Sequence, residues 1–206
     1  MAVQRAAEGH AYHDRTGARV PSVTDVLREL MAGSYDGPAP AVLELALARG
    51  ALVHERIAGD FLGDAEVEPA IEEYIRRFRT FRDALGLLPV ATELVVHSRL
   101  LGIAGTIDCI ARARRGSGLW IIDWKTGPAR PRDLLQVAAY WEIAAEEAGS
   151  GGALDGLASK QEILAGTAAV VSLTAEMPRA QYVLGPDRAA FLAAVRLYSW
   201  LKQRGR

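Results

Sequence analysis

Residues 119–127 read Leu-Trp-Ile-Ile-Asp-Trp-Lys-Thr-Gly, and this stretch decides how the rest of the chain is interpreted. Its apolar, β-favouring residues predict a short buried strand that ends near a glycine. Because successive side chains of a strand point to opposite faces, Asp123 and Lys125 lie on one face and both tryptophans lie on the other. The stretch therefore predicts an acid and an ammonium side by side at the end of a strand.

A second acid, Asp108, lies within the preceding apolar run, which reads Gly-Thr-Ile-Asp-Cys-Ile over residues 105–110. A hairpin between the two strands brings Asp108 close to Asp123. Two carboxylates that share a site repel each other unless a cation lies between them, and oxygen ligands favour a hard ion such as Mg²⁺ or Mn²⁺. The alternative is an exposed Asp123–Lys125 salt bridge and a turn residue at Asp108.

Three helices are predicted before these strands. The first begins after Ser22 or Thr24, which are suitable caps, and the third follows Pro69 and ends at Gly86. The second helix carries residues at spacings of three and four that form one stripe: Leu43, Leu47, Gly50, His54 and Ile57. His54 is therefore expected to point where the apolar residues point.

The strands and the segments after them complete an α/β pattern. Strands are predicted at 94–96, 103–110 and 119–124, followed by a helix that begins near Pro131 and ends at Gly149. A strand at 168–173, a partner strand at 181–184 and a final helix from Asp187 follow. This order predicts a single domain over residues 1–206, with a mixed sheet flanked by helices.

Composition excludes several classes of protein. With 24 basic and 25 acidic residues the net charge is -1, so any nucleic-acid binding must come from a local patch. The single cysteine, Cys109, excludes a disulfide framework and an iron–sulfur cluster held by several thiolates. Neither a signal peptide nor an apolar run of membrane-spanning length is found, so we expect a cytoplasmic protein without a membrane partner.

The ordered motifs resemble the PD-(D/E)XK nuclease superfamily, and within it the RecB-like and phage-exonuclease-like branch. The matching elements are Arg49-Gly50-x-x-x-His54, Glu93, Gly105-Thr106-Ile107-Asp108, Asp123-Trp124-Lys125-Thr126-Gly127 and Gln136-x-x-x-Tyr140. The resemblance implies a restriction-endonuclease-like α/β core and metal-dependent hydrolysis of DNA. The proline of the superfamily's name is absent, since Ile107 precedes Asp108.

The resemblance also implies a role for each matching residue. His54, Asp108, Asp123 and the backbone carbonyl of Trp124 hold Mg²⁺, for which Mn²⁺ can substitute. Lys125 positions or deprotonates the attacking water or stabilises the phosphate, and a nearby cation is expected to lower its pKa. Glu93 is implied to reach the metal through water. Gln136 and Tyr140 are implied to line the cleft and to orient Lys125 or the DNA backbone. A surface acid at a strand start is the alternative for Glu93.

Two groups of arginines are candidates for phosphate contacts. Arg112, Arg114 and Arg115 belong to the hairpin between the two acid-bearing strands and are expected to lie near the acids. The arginines of the third helix point in several directions and favour a solvated face.

The sequence therefore predicts a Mg²⁺-dependent deoxyribonuclease, an exonuclease of DNA recombination and repair or of phage origin. Its expected partners are DNA and either further copies of itself, which would compensate for the low net charge, or a recombination partner protein. Two alternatives remain: a non-catalytic DNA-binding subunit of a recombination complex, and a nuclease that acts on RNA.

Overall fold

The N-terminal part of the chain forms a small sheet followed by a helix. The structure is a computed structural model that describes residues 3–6, 11–31, 40–63, 66–115 and 118–205. The first elements are β1 Gln4–Arg5, β2 Tyr12–His13, β3 Arg19–Val20 and α1 Val23–Leu30. The three strands pair antiparallel in the order β1-β2-β3, and we call them the N-terminal meander. Ser22 caps α1 by accepting from the Asp25 backbone N–H, as the sequence indicates.

Two longer helices follow, α2 Pro40–Phe61 and α3 Glu72–Leu85, and both were predicted. Gly86 ends α3 in the left-handed conformation, with φ 61°. The apolar stripe of α2 is only partly buried. Ile57 is in the core, whereas Leu43 and Leu47 are exposed, so the expectation of one continuous core-facing stripe is wrong for the N-terminal half of α2.

The centre of the fold is a five-stranded sheet with the order β4-β5-β6-β7-β8. Its strands are β4 Leu87–Ser98, β5 Ile103–Ala113, β6 Leu119–Lys125, β7 Thr167–Ser172 and β8 Arg179–Tyr182. The β4, β5 and β6 strands form the predicted antiparallel meander, β7 runs parallel to β6, and β8 runs antiparallel to β7. The sheet is therefore mixed, as expected.

Helices cover both faces of this sheet. The remaining ones are α4 Pro131–Glu147, α5 Lys160–Ala165 and α6 Gly185–Arg204. The α1, α4 and α6 helices pack on one face around Ile121 and Val170, and α2 and α3 pack on the other around Ile122 and Trp124. This three-layer arrangement is the expected α/β restriction-endonuclease-like core.

The structure adds elements that the sequence patterns did not indicate. They are the N-terminal meander and the short helix α5, and β4 begins at Leu87, earlier than predicted. Turns connect α4 to α5 through the glycine-rich segment 148–157. Across the described ranges, every helix is too short or too polar to cross a membrane.

Candidate active site

The candidate site is built around the peptide group of Trp124, near the C-terminal end of β6. Cys109 pairs with Ile122, so Asp108 and Asp123 are the next residues beyond that pair on their two strands. The Trp124 N–H donates to Asp108 Oδ2 at 2.9 Å, and the Trp124 carbonyl lies 2.8 Å from His54 Nε2. The predicted hairpin thus brings the acids, the carbonyl and the histidine together.

His54 reaches this site from α2 on the opposite side of the peptide. Its Nδ1 lies 3.4 Å from Asp108 Oδ2, while its Nε2 faces the Trp124 carbonyl. Both neighbours are acceptors, so a ring that donates from both nitrogens is an imidazolium. Burial lowers the pKa of His54, but the charge and hydrogen bond of Asp108 outweigh burial and raise it to about 9. Burial raises the pKa of Asp108 in turn, yet the charge of His54 brings the net pKa below its usual value.

Glu93 joins the group from the edge strand β4. Oxygen or nitrogen atoms of His54, Glu93 and Asp108 all lie within 4.8 Å of one another. Glu93 has φ 48°, a left-handed conformation that is uncommon for a residue with a side chain. The pairs on either side of it, Thr92 with Cys109 and Leu94 with Ile107, keep the same register between β4 and β5. Burial and the negative charge of Asp108 raise the pKa of Glu93. Glu93 therefore lies in the middle of a strand and beside Asp108, whereas the alternative interpretation made it a surface acid at the start of a strand.

Asp123 and Lys125 form the second half of the site. Lys125 Nζ lies 2.8 Å from Asp123 Oδ2, and Asp123 is 1% exposed, so the pair is not the exposed salt bridge of the alternative interpretation. Both Asp123 oxygens are buried, and within the described ranges neither has a partner that meets the geometry of a hydrogen bond, so the contact with Lys125 is an ion pair. Burial raises the pKa of Asp123, against the opposing charge of Lys125.

The protein groups around Lys125 favour its charged form. Burial lowers the pKa of Lys125, but the charges of Asp123 and Asp108 outweigh burial and raise it. The expected lowering of this pKa depended on a nearby cation, and the carboxylates alone act in the other direction.

Gln136 and Tyr140 lie one turn apart on α4 and face Lys125. Lys125 Nζ donates to Gln136 Oε1 at 3.4 Å, and Gln136 Nε2 donates to the Tyr140 hydroxyl at 2.9 Å. Tyr140 is buried, and its ring passes so close to Gly105 that a Cβ there would lie 2.6 Å from Tyr140 Cε1. A glycine at this position of β5 therefore allows the tyrosine to reach the site.

The three hairpin arginines lie elsewhere. Arg112 pairs in register with Leu119, at the opposite end of β6 from Asp123, and it forms an ion pair with Glu162 at 2.9 Å. Arg114 and Arg115 bond through their backbone N–H groups to the end of α3. The expectation that this hairpin lies beside the acids is wrong, because the loop joins the ends of β5 and β6 that are remote from the carboxylates. A DNA contact by these arginines stays a prediction.

The arginines of α3 are engaged in ion pairs, but only Arg76 among them is exposed, so the expected solvated face describes only part of the helix. Arg77 pairs with Glu73 at 2.5 Å, as the four-residue spacing indicates. Arg79 and Arg82 instead meet Asp60 at the end of α2, a contact between helices that the sequence pattern did not reveal.

Two further residues near the site were missed by sequence reasoning. Arg5 Nη1 lies 3.4 Å from Glu93 Oε2, and the Tyr12 hydroxyl lies 2.8 Å from Thr106 Oγ1. Both belong to strands of two residues, which are too short to show an alternating pattern.

The donor set fits a divalent cation. The carboxylates of Glu93 and Asp108, the Trp124 carbonyl and, once it has lost a proton, the His54 imidazole are ligands that Mg²⁺ or Mn²⁺ accepts. The two buried Asp123 oxygens without hydrogen bonds provide further acceptors beside them. Buried carboxylate oxygens are costly to leave without partners, and this cost is consistent with a site that binds a cation.

The fold and this constellation are those of a metal-dependent nuclease. The family model of the PD-(D/E)XK nuclease superfamily matches residues 22–197, which is most of the chain. The protein belongs to the PD-(D/E)XK nuclease superfamily. No curated protein sequence gives a significant match to the chain.

Proposed function

We propose that this nuclease hydrolyses the phosphodiester bonds of DNA as an exonuclease of the RecB-like branch. The observation that carries this proposal is the arrangement around Trp124, where His54 and Asp108 meet one peptide group and Lys125 and Asp123 form the adjoining pair. We further propose Mg²⁺ as the natural ion, with Mn²⁺ able to replace it.

The ligands that we propose are His54, Glu93, Asp108, Asp123 and the Trp124 carbonyl. A divalent cation in such a site supplies Lewis-acid chemistry, activating a water and neutralising charge that develops on the phosphate. The chain supports this by holding each donor on a regular element rather than on a loop, which keeps the donors in place.

Lys125 is proposed as the catalytic donor. Its ammonium lies 2.8 Å from Asp123 Oδ2 in an ion pair and donates to Gln136 Oε1 at 3.4 Å. These two contacts hold its position and leave at least one of its three N–H bonds for the substrate. A donor held in this way stabilises negative charge on the attacked phosphate without reorganising during the reaction. Gln136 and Tyr140 act as positioning residues because they reach the substrate through Lys125.

An exonuclease is proposed because the motifs resemble those of the RecB-like and phage-exonuclease-like branch. We also propose a role in DNA recombination or repair, or in a phage. The net charge of -1 gives weak non-specific attraction to DNA, so an assembly with further copies or with a recombination partner protein is part of this proposal.

The test is degradation of end-labelled linear DNA and of covalently closed circular DNA, in Mg²⁺, Mn²⁺ or EDTA. Asp123→Ala and Lys125→Ala are compared with Asp155→Ala and Lys160→Ala, which remove the same charges from exposed positions. We expect loss of linear DNA alone, dependent on the cation, abolished by the first two variants and retained by the controls.

Other outcomes point to the alternatives. Cleavage of circular DNA at an equal rate would replace the exonuclease by an endonuclease, and faster loss of a labelled RNA of the same sequence would replace DNA as substrate. A wild type that binds Mn²⁺ through Asp108 yet cleaves neither polymer would favour a non-catalytic DNA-binding subunit.

A further inference from the structure

The N-terminal meander reaches the candidate metal site, although it lies outside the part of the chain that the family model matches. Arg5 of β1 extends its guanidinium to Glu93, with Nη1 at 3.4 Å from Oε2. The side chains of Arg5 and Glu93 are 33% and 36% exposed, so the contact lies at the rim of the site.

The meander is anchored to the strand that carries Asp108. Arg5 pairs in register with Tyr12, which is 1% exposed and whose hydroxyl meets Thr106 Oγ1 at 2.8 Å. At the other end of the meander, the Pro21 carbonyl accepts from the Ala104 backbone N–H at 2.9 Å. Two points of β5, at positions 104 and 106, therefore fix the segment that presents Arg5.

We propose that Arg5 is a substrate-binding residue that contacts a DNA phosphate beside the metal site, an inference that rests on the proposed function. The carboxylates of Glu93, Asp108 and Asp123 repel a phosphate, so cationic side chains beside them help the substrate to approach. Lys125 lies against Asp123, and Arg5 lies against Glu93 at the rim of the site.

The chemistry of arginine suits this role. A guanidinium stays charged, presents five donors in a planar fork and binds phosphate oxygens with two parallel hydrogen bonds. The contact with Glu93 is long for a charge-assisted hydrogen bond, and the Arg5 side chain is one third exposed, so a phosphate at the rim of the site can reach it. Arg5 can therefore donate to a phosphate while it remains beside Glu93.

The experiment measures the affinity of a short fluorescein-labelled DNA duplex in Mg²⁺ at several salt concentrations. Lys125→Ala is the background for these binding measurements, so that the duplex is not consumed. Arg5→Ala and Arg5→Lys are introduced into this background, with Arg19→Ala as the matched control. Arg19 lies on the opposite edge strand of the same meander, is more exposed and pairs with Asp25.

We expect Arg5→Ala to weaken binding on the order of tenfold and to reduce the slope of log K against log salt by about 0.9, the loss of one phosphate contact. Arg5→Lys keeps the charge and is expected to retain most of the slope but only part of the affinity. Arg19→Ala leaves both quantities close to those of the background, and thermal unfolding of all variants verifies the fold.

Two results would overturn the inference while leaving the proposed function intact. The first is a wild type that cleaves DNA, together with an Arg5→Ala variant whose DNA affinity and salt dependence equal those of Arg19→Ala. The other is an unchanged slope with weaker Mn²⁺ binding in calorimetry, which would make Arg5 a positioning residue for Glu93. A wild type that neither cleaves nor binds DNA would overturn both proposals.

Discussion

Gly105 allows a test of the site by the addition of a single carbon. A Cβ at this position would lie 2.6 Å from Tyr140 Cε1, so the ring must move in Gly105→Ala. Because Tyr140 accepts from Gln136, which in turn accepts from Lys125, we expect cleavage to fall at least tenfold while unfolding free energy falls by about 1–3 kcal/mol. Rates of cleavage and urea unfolding measure the two effects.

Gly185→Ala is the control for this substitution, since a Cβ there meets no atom of the described residues within 4 Å. It should leave both quantities nearly unchanged. Full activity in Gly105→Ala, with the fold intact, would show that the close approach of Tyr140 does not matter for catalysis.

Gln136 is expected to act on the rate of the chemical step rather than on substrate binding. Its Oε1 accepts from Lys125 at 3.4 Å, so Gln136→Ala removes an acceptor that orients the ammonium. We predict a kcat about tenfold lower with KM within a factor of about two, the signature of an interaction that acts in the transition state. Gln136→Glu retains an acceptor and should recover part of kcat, and steady-state kinetics on linear DNA decide between these results. A rise in KM alone would instead assign Gln136 to substrate binding.

At the residue scale, sequence reasoning located side chains whose spacing carries information. The approach of Asp108 to the Asp123–Lys125 pair could be predicted, because two strands joined by a hairpin determine where these side chains meet. His54 was assigned to the same site only through the resemblance to the nuclease superfamily. The left-handed backbone of Glu93 could not be predicted, since no turn residue marks it, and neither could its contact with Arg5, which depends on tertiary pairing.

At the scale of elements, ion pairs join the end of α2, the helix that carries His54, to α3. Asp60, at the end of α2, is 3% exposed at its side chain and accepts from Arg79 Nε at 2.7 Å and from Arg82 Nη1. Asp60→Ala leaves two cations without this buried acceptor. We expect a loss of about 2 kcal/mol of unfolding free energy, less than for a fully buried pair because both guanidinium groups are partly exposed.

The comparison for Asp60 is Glu73→Ala, which breaks an exposed i,i+4 pair with Arg77 and should cost less than about 0.5 kcal/mol. Denaturant unfolding monitored by tryptophan fluorescence measures both, since Trp124 packs against Phe78 of α3. Equal stability losses in the two variants would contradict a special role for Asp60.

Elements were predicted well where a periodic pattern was long enough to be seen. The strands β5 and β6 and the helices α3 and α4 agree with the sequence, whereas the two-residue strands of the N-terminal meander carry no pattern. The N-terminal half of α2 shows another limit. Periodicity places Leu43 and Leu47 on the same face as Ile57, but it does not tell how far along the helix the packing partner extends.

At the scale of the whole molecule, the proposed ligands tie together elements from different layers. His54 comes from α2 on one face of the sheet, and Glu93, Asp108 and Trp124 come from three adjacent strands. The layered fold itself was predictable from the order of helices and strands. The meeting of these four residues within one small site depends on how α2 packs against the sheet, which a single sequence does not specify.

This arrangement predicts that a divalent cation stabilises the entire fold rather than one loop. An ion that binds only the folded protein adds RT ln(1 + [L]/Kd) to the free energy of unfolding, about 2.7 kcal/mol at a hundredfold excess over Kd. We therefore expect Mn²⁺ to raise the melting temperature in a concentration-dependent manner, and EDTA to reverse the rise. Asp108→Asn should lose most of this shift, because it removes a charged ligand while it keeps an acceptor for the Trp124 N–H.

The matched control for Asp108→Asn is Asp155→Asn, an exposed acid in the turn before α5, which should keep the full response to Mn²⁺. A shift of the same size in both variants would mean that the cation binds elsewhere on the surface. A shift in wild type that Asp108→Asn abolishes, seen at concentrations of Mn²⁺ that also support cleavage, would link the ion that stabilises the layers to the ion that takes part in the reaction. If the Mn²⁺ concentration that stabilises the fold and the one that supports cleavage differ by more than about tenfold, two different sites would be required.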